Sequence, residues 1–187
     1  KVEDPESLRI FIDLFKENDI HVVMIGSEFE VKFFSENKKY IETVTNTKVI
    51  VAPSSTVEVA DDKWLTVEFL KKHGLPYPET ILPLNLEHAL EAAGSLGYPL
   101  MLKARRGTSS RHVYLVKNAP DLEKLFSVTP FPMLQKVIQF PSSELGYEYT
   151  CSVFKRSDQE LIGPFTARRT IRSGTSWHIE VAPFREL

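Results

Sequence analysis

Residues 97 to 116, Gly-Tyr-Pro-Leu-Met-Leu-Lys-Ala-Arg-Arg-Gly-Thr-Ser-Ser-Arg-His-Val-Tyr-Leu-Val, leave the backbone few choices. Two apolar, partly β-branched runs, Leu100 to Leu102 and Val113 to Val116, enclose a polar, basic loop with Gly107 at its centre. That pattern predicts an antiparallel hairpin with a mobile tip. Lys103 closes the first strand. A lysine at a strand end can set its ammonium against a phosphate. Gly107 lets the backbone come close, while the amides and hydroxyls of Thr108, Ser109 and Ser110 offer donors to anionic oxygens. This is not a P-loop, in which the glycine loop opens a helix in a fixed Gly-Lys-Ser/Thr order; here the loop returns into a strand. A solvated hairpin whose charged tip keeps the chain soluble accounts for the stretch equally well.

Composition narrows the function classes. At 187 residues with 42% hydrophobic and 11% aromatic content, the chain can bury one good core or two small ones. A net charge of -2 gives no general reason to expect nucleic acid or a membrane surface as partner. Cys151 is alone, so no internal disulfide forms, and no long apolar run or leader-like start is seen. The expected setting is soluble, reducing and cytoplasmic. The five histidines are scattered without metal-ligand spacing.

In chain order, Asp4 and Pro5 open a helix whose apolar face is Leu8, Phe11, Ile12 and Phe15. A buried strand, Ile20 to Ile25, follows. Ser27 with Glu30 spells a capping box for a short helix through Phe33, and Ser55 with Glu58 a second box after the strand Lys48 to Ala52. This alternation predicts a parallel, doubly wound α/β sheet, whose first strand and glycine turn are expected before residue 1. Next comes a helix from about Asp61, with Trp64, Val67 and Leu70 on its packed face, ended by His73-Gly74. A strand at Thr80 to Leu82, an Asn85-capped helix, the hairpin, a short helix from Asn118 and a strand at Met133 to Ile138 complete the middle. In Tyr147 to Phe154, alternation puts Tyr147, Tyr149, Cys151 and Val153 on a buried face, and Glu148, Thr150 and Ser152 on the other, with Cys151 a small core residue. The basic run at Arg168, Arg169 and Arg172 reads as a solvated or phosphate-facing strand.

Read together, Asp62-Lys63, a helix ending in Gly74-Leu-Pro-Tyr-Pro78, Tyr98-Pro-Leu-Met-Leu-Lys103, a Gly/Ser loop, Leu134-Gln-Lys-Val137 and Gly146-Tyr-Glu-Tyr-Thr150 resemble the ATP-grasp superfamily, most closely its carbamoyl-phosphate-synthase-like ligases. The resemblance covers nearly the whole chain. It implies a partial pre-ATP-grasp, Rossmann-like α/β unit over residues 1–60, then an α+β ATP-grasp lobe with antiparallel sheet over residues 61–187 that is incomplete at its C-terminal end. Lys63 falls where the family has a basic residue near the nucleotide phosphates, and Lys103 where its strand lysine contacts the α- and β-phosphates. Gly107, Thr108, Ser109 and Ser110 match the loop that closes over the phosphates. Gln135, Lys136 and Val137 match the hinge whose backbone binds the adenine edge, and Glu148 the acidic residue on the ribose hydroxyls. Each of these side chains also reads, alone, as an ordinary solvated or strand residue.

Departures are as informative. The loop has one glycine where many relatives have several, and His112 stands where a small residue is common, so Arg105, Arg106 and Arg111 are candidate substitutes for phosphate contacts. No Glu-x-Asn follows Arg169, so the Mg²⁺ ligands are expected outside this chain and no catalytic residue is assigned within it. The implied function is the ATP-binding portion of a ligase that activates a carboxylate or carbamate as an acylphosphate for attack by an amine. The alternative is a non-catalytic nucleotide-binding or interaction module. ATP and Mg²⁺ are the expected cofactors, with small carboxylate and amine substrates as partners, no membrane or nucleic acid, and a homo-oligomer left open.

Overall fold

The chain begins its first helix, α1 (Ser7–Glu17), with Asp4 serving the entry: its Oδ1 accepts from the Glu6 N–H and its carbonyl from the Ser7 N–H, both at 2.9 Å. The structure, a computed structural model, describes residues 2, 4–108, 110–138, 148–172 and 175–184. It divides into two compact units, Lys1–Tyr77 and Pro78–Leu187.

In the first unit β1 (Val22–Met24) and β2 (Lys48–Ile50) pair in parallel, Val23 beside Val49, with α2 (Glu28–Val44) as the crossover. Phe15, Phe34, Ile41 and Val49 form the core, and Phe11 sets its ring edge-on to Phe34 at 5.0 Å between centroids. The expected strand and helix alternation is present, but four local readings are corrected. The strand expected to be buried over Ile20 to Ile25 is only Val22–Met24, with Val22 and Met24 exposed, because one face of so short a sheet is left uncovered. The first helix starts at Ser7 with Glu6 at its cap position, so Asp4 and Pro5 precede it. The second helix runs on to Val44 rather than stopping at Phe33. Neither capping box forms: the Ser27 side chain accepts no cap hydrogen bond, and α3 (Ser54–Asp61) starts at Ser54 behind Pro53, which puts Ser55 inside the helix.

The extra turns of α2 serve the outer edge of β2. Glu42 Oε1 accepts from the Val49 N–H at 3.0 Å, Lys38 Nζ donates to the Val51 carbonyl at 3.2 Å, and Ser35 Oγ donates to the Ala52 carbonyl at 2.9 Å. Backbone groups that a further strand would pair are thus satisfied by side chains. The unit closes with α4 (Lys63–Lys72), capped by the buried Asp62, whose Oδ1 accepts from the Trp64 and Leu65 amides.

In the second unit β3 (Thr80–Ile81), β4 (Leu100–Ala104), β5 (Val113–Val116) and β6 (Pro132–Lys136) form an antiparallel sheet in the order β3-β6-β4-β5. The expected hairpin is there, registered from Leu100 opposite Val116 to Lys103 opposite Val113. Asn85 and Asn118 cap α5 (Leu86–Leu96) and α6 (Ala119–Phe126), accepting from the His88 and Asp121 amides at 2.8 and 2.9 Å. Ala89, Ala93, Leu96 and Leu122 of these helices pack with Leu100, Leu102, Val116 and Leu134 of the sheet. A fully buried leucine or valine side chain contributes about 1.5–3 kcal/mol, so the helix-covered face is a main source of the sheet's stability, while Met133 is fully buried on the opposite face.

A second antiparallel sheet follows, β7 (Glu148–Lys155), β8 (Leu161–Arg172) and β9 (Thr175–Val181), in that order. Here Cys151 is exposed, which corrects the expectation of a small core residue; Tyr147 lies outside the described residues. Alternation shows that the two faces of a strand differ, not that either is covered, and both Cys151 and its neighbours Ser152 and Val153 are exposed. Cys151 is therefore expected to react stoichiometrically with a thiol reagent in the native chain, as checked by absorbance without denaturant; reaction only after unfolding would restore the core assignment.

Candidate functional site

Leu100, Leu102 and Ala104 of β4 are buried and alternate with Met101 and Lys103, which therefore lie on the face opposite helices α5 and α6. Lys103 is registered with Met133, and Met101 with Gln135, so Lys103 and Gln135 are diagonal neighbours on that face. Lys103 Nζ donates to Gln135 Oε1 at 2.6 Å. Thr80, opposite Gln135 on β3, accepts from Gln135 Nε2 at 3.0 Å. A strand lysine is thus held at the end of its strand by a buried amide, beside the loop that leaves β4.

The loop is anchored where it leaves the sheet. The Ala104 N–H donates to the His112 carbonyl at 2.9 Å, Arg105 N–H to Phe131 at 3.2 Å, and Arg111 N–H to Thr108 at 3.1 Å. Gly107 has φ 125, and Ser110 and His112 take φ 56 and 51. An added Cβ at Gly107 would meet no atom within 4 Å, so backbone conformation rather than space demands the glycine. Thr108 is half-buried and Gly107 and Ser110 are exposed; Ser109 lies outside the described residues.

Lys136 ends β6 with its N–H on the Glu79 carbonyl at 2.8 Å and its ammonium 3.5 Å from the Glu79 carboxylate. That exposed ion pair is worth less than about 1 kcal/mol. Val137 follows, past the end of the strand and half-buried. Glu148 opens β7 opposite Arg169 of β8. Its Oε2 stands 3.9 Å from Arg169 Nε, too far for a hydrogen bond, and both atoms are buried without a hydrogen-bond partner. Arg169 Nη1 donates instead to Ser176 Oγ at 3.2 Å.

Lys63, the first residue of α4, belongs to the first unit, whereas the other sequence-assigned residues belong to the second. Burial lowers its pKa, opposed by the carboxylates of Asp61 and Asp62. A lysine so shifted costs the fold while it is charged, and the cost is relieved as pH rises from the lowered pKa towards the ordinary 10.5. Among the described residues no group of three or more His, Cys, Asp or Glu could hold a metal ion, and no helix is long and apolar enough to cross a membrane.

Sequence reading missed the partners. Thr80 and Arg169 touch Gln135 and Glu148 only because of strand register, which no local pattern encodes. It also missed a cavity of about 570 Å³ in the first unit, lined by Lys38, Lys39, Lys48, Glu36 and Glu42 among others. There Lys38 and Glu42 already hold the edge of β2, and Glu36 pairs with Lys32.

No family model matches the chain. Over 82 residues it is 33% identical to alpha-aminoadipate-LysW ligase LysX of Sulfurisphaera tokodaii, covering 44% of this chain and 29% of that protein. Over 87 residues it is 30% identical to the carbamoyl phosphate synthase large chain of Pyrococcus furiosus, covering 46% of this chain and 8% of that protein. The structure of biotin carboxylase from Campylobacter jejuni, solved as a β-γ-ATP complex, superposes over 93% of this chain and 41% of its own, with a TM-score of 0.75 at 20% identity, a likeness of fold. The chain thus spans less than a third of either curated relative. In fold, in the order of its motifs and in its kin, the chain fits the ATP-grasp superfamily.

Proposed function

We propose that this chain is the ATP-binding portion of a cytoplasmic, carbamoyl-phosphate-synthase-like carboxylate-amine ligase, with residues 1–60 as a pre-ATP-grasp α/β part and residues 61–187 as the nucleotide-binding region. The observation that carries the reading is Lys103: a lysine held on the sheet face opposite α5 and α6, near the strand end from which a glycine-containing, donor-rich loop departs. That arrangement suits a polyphosphate, a positioned point charge with amide and hydroxyl donors beside it. Lys103 takes the α- and β-phosphates, and the loop Gly107 to Ser110 covers them.

The purine falls to the hinge at Gln135, Lys136 and Val137. The Lys136 amide is engaged by Glu79, so the backbone of Val137 is left to read the base edge. Glu148 takes the ribose: its carboxylate stands by the Arg169 guanidinium with the side chain still partly exposed, and a sugar hydroxyl can donate to it. Bound ATP supplies the phosphoryl group that turns a carboxylate or carbamate into an acylphosphate open to an amine. The Mg²⁺ that accompanies such a triphosphate finds no ligand set among the described residues, and the proposal puts its ligands elsewhere.

Paired titrations of ATP and inorganic triphosphate, followed by NMR up to millimolar ligand, test the assignment. Wild type should bind both. Glu148→Ala should weaken ATP by roughly three- to tenfold and leave triphosphate unchanged, since a ribose contact is absent from the second ligand. Equal weakening of the two ligands removes Glu148 from the ribose, and no binding of either by wild type removes the nucleotide reading.

A further inference from the structure

The hydrogen bonds around Lys103 have a fixed proton order. Thr80 Oγ1 lies 2.7 Å from the Pro78 carbonyl, which can only accept, so the single hydroxyl proton is committed there. Oγ1 must then accept from Gln135, which turns Nε2 towards Thr80 and Oε1 towards Lys103. An ammonium has donors only, so this is the one amide orientation that can hold it. Pro78 O, Thr80, Gln135 and Lys103 form a relay in which each link determines the next.

We propose that Thr80 is a positioning residue for the anion-binding lysine, setting the Gln135 amide so that its oxygen, and not its NH₂ group, faces the Lys103 ammonium. The inference rests on the nucleotide reading above and assigns a function to a residue that contacts no ligand in it. Gln135 is only 8% exposed, so water does not readily replace a lost partner. With Thr80→Val the amide either leaves Nε2 unsatisfied or turns over, and on turning it presents donors to a donor. Lys103 would then lose the contact that sets its ammonium against Gln135 Oε1, and its position at the phosphates would be less well defined. Gln135 is neutral, so this contact itself brings no counter-charge to the lysine.

Four variants of the full chain, Thr80→Val, Thr80→Ser, Lys103→Ala and the Thr80→Val/Lys103→Ala pair, are titrated with ATP and with inorganic triphosphate. Thr80→Val should weaken both ligands by the same factor, roughly three- to tenfold, because the relay acts on the phosphates and not on the base. Thr80→Ser keeps the hydroxyl and should bind as wild type does. In the Lys103→Ala background Thr80→Val should have no further effect, since there is no ammonium left to orient. Unchanged binding by Thr80→Val overturns the proposal. So does an equal loss with and without Lys103, or a Thr80→Ser variant as weak as Thr80→Val; either marks a merely structural role. If wild type binds neither ligand, the nucleotide reading fails and the proposal with it, an outcome distinct from wild-type binding that Thr80→Val leaves intact.

Discussion

Lys103→Ala should weaken binding of ATP and of inorganic triphosphate alike, by roughly ten- to a hundredfold. The magnitude follows from a charge-assisted contact worth about 1.5–3 kcal/mol, made by an ammonium that the structure already holds in place against Gln135 Oε1. Isothermal titration or NMR line shapes read the difference directly. Since the phosphates are common to the two ligands, the ratio of their affinities should not change. A Lys103→Ala chain that binds both like wild type would move the phosphates to another part of the surface.

Leu134→Ala should produce the largest loss of stability, about 2–5 kcal/mol within the second unit. Leu134 is fully buried on β6, the strand between β3 and β4, and packs in the same cluster as Leu100, Leu102 and Leu122. Truncation there removes contacts within the core that the helices cover and leaves a cavity that close-packed neighbours cannot fill. With two compact units, a single melting curve is a poor readout. Hydrogen exchange resolves it: amides of β4 and β6 should lose protection, while those around Ile41 and Val49 of the first unit should keep theirs. A loss below about 1 kcal/mol would mean that the helix-covered face is not where this unit's stability resides.

What could be read from the sequence depended on how local its cause is. The hairpin was legible because alternating apolar residues, a glycine and a basic tip all act within one short stretch, and the caps Asn85 and Asn118 because each serves an amide three residues on. Length failed for α2 because Ser35, Lys38 and Glu42 interrupt the apolar spacing, and their polarity answers to a strand edge distant in sequence. The two capping boxes failed because the serine pattern is necessary for such a cap and not sufficient: Ser27 has extended φ and ψ suited to the position, but its side chain makes no cap hydrogen bond. At the site, Lys103 and Glu148 were legible as types at motif positions, whereas the pairing of Thr80 with Gln135 and of Arg169 with Glu148 could not be read until register set them opposite one another.

The side chains of α2 that meet β2 give the first sheet a finished side. A strand arriving there would have to displace a carboxylate from the Val49 amide, an ammonium from the Val51 carbonyl and a hydroxyl from the Ala52 carbonyl, and would then face Glu42 and Lys38 across a strand spacing. On the other flank Val22 and Met24 of β1 stand 54% and 79% exposed. A strand that joined this sheet past β2 would first have to take the Val49 amide from the Glu42 carboxylate, a cost that growth past β1 does not carry.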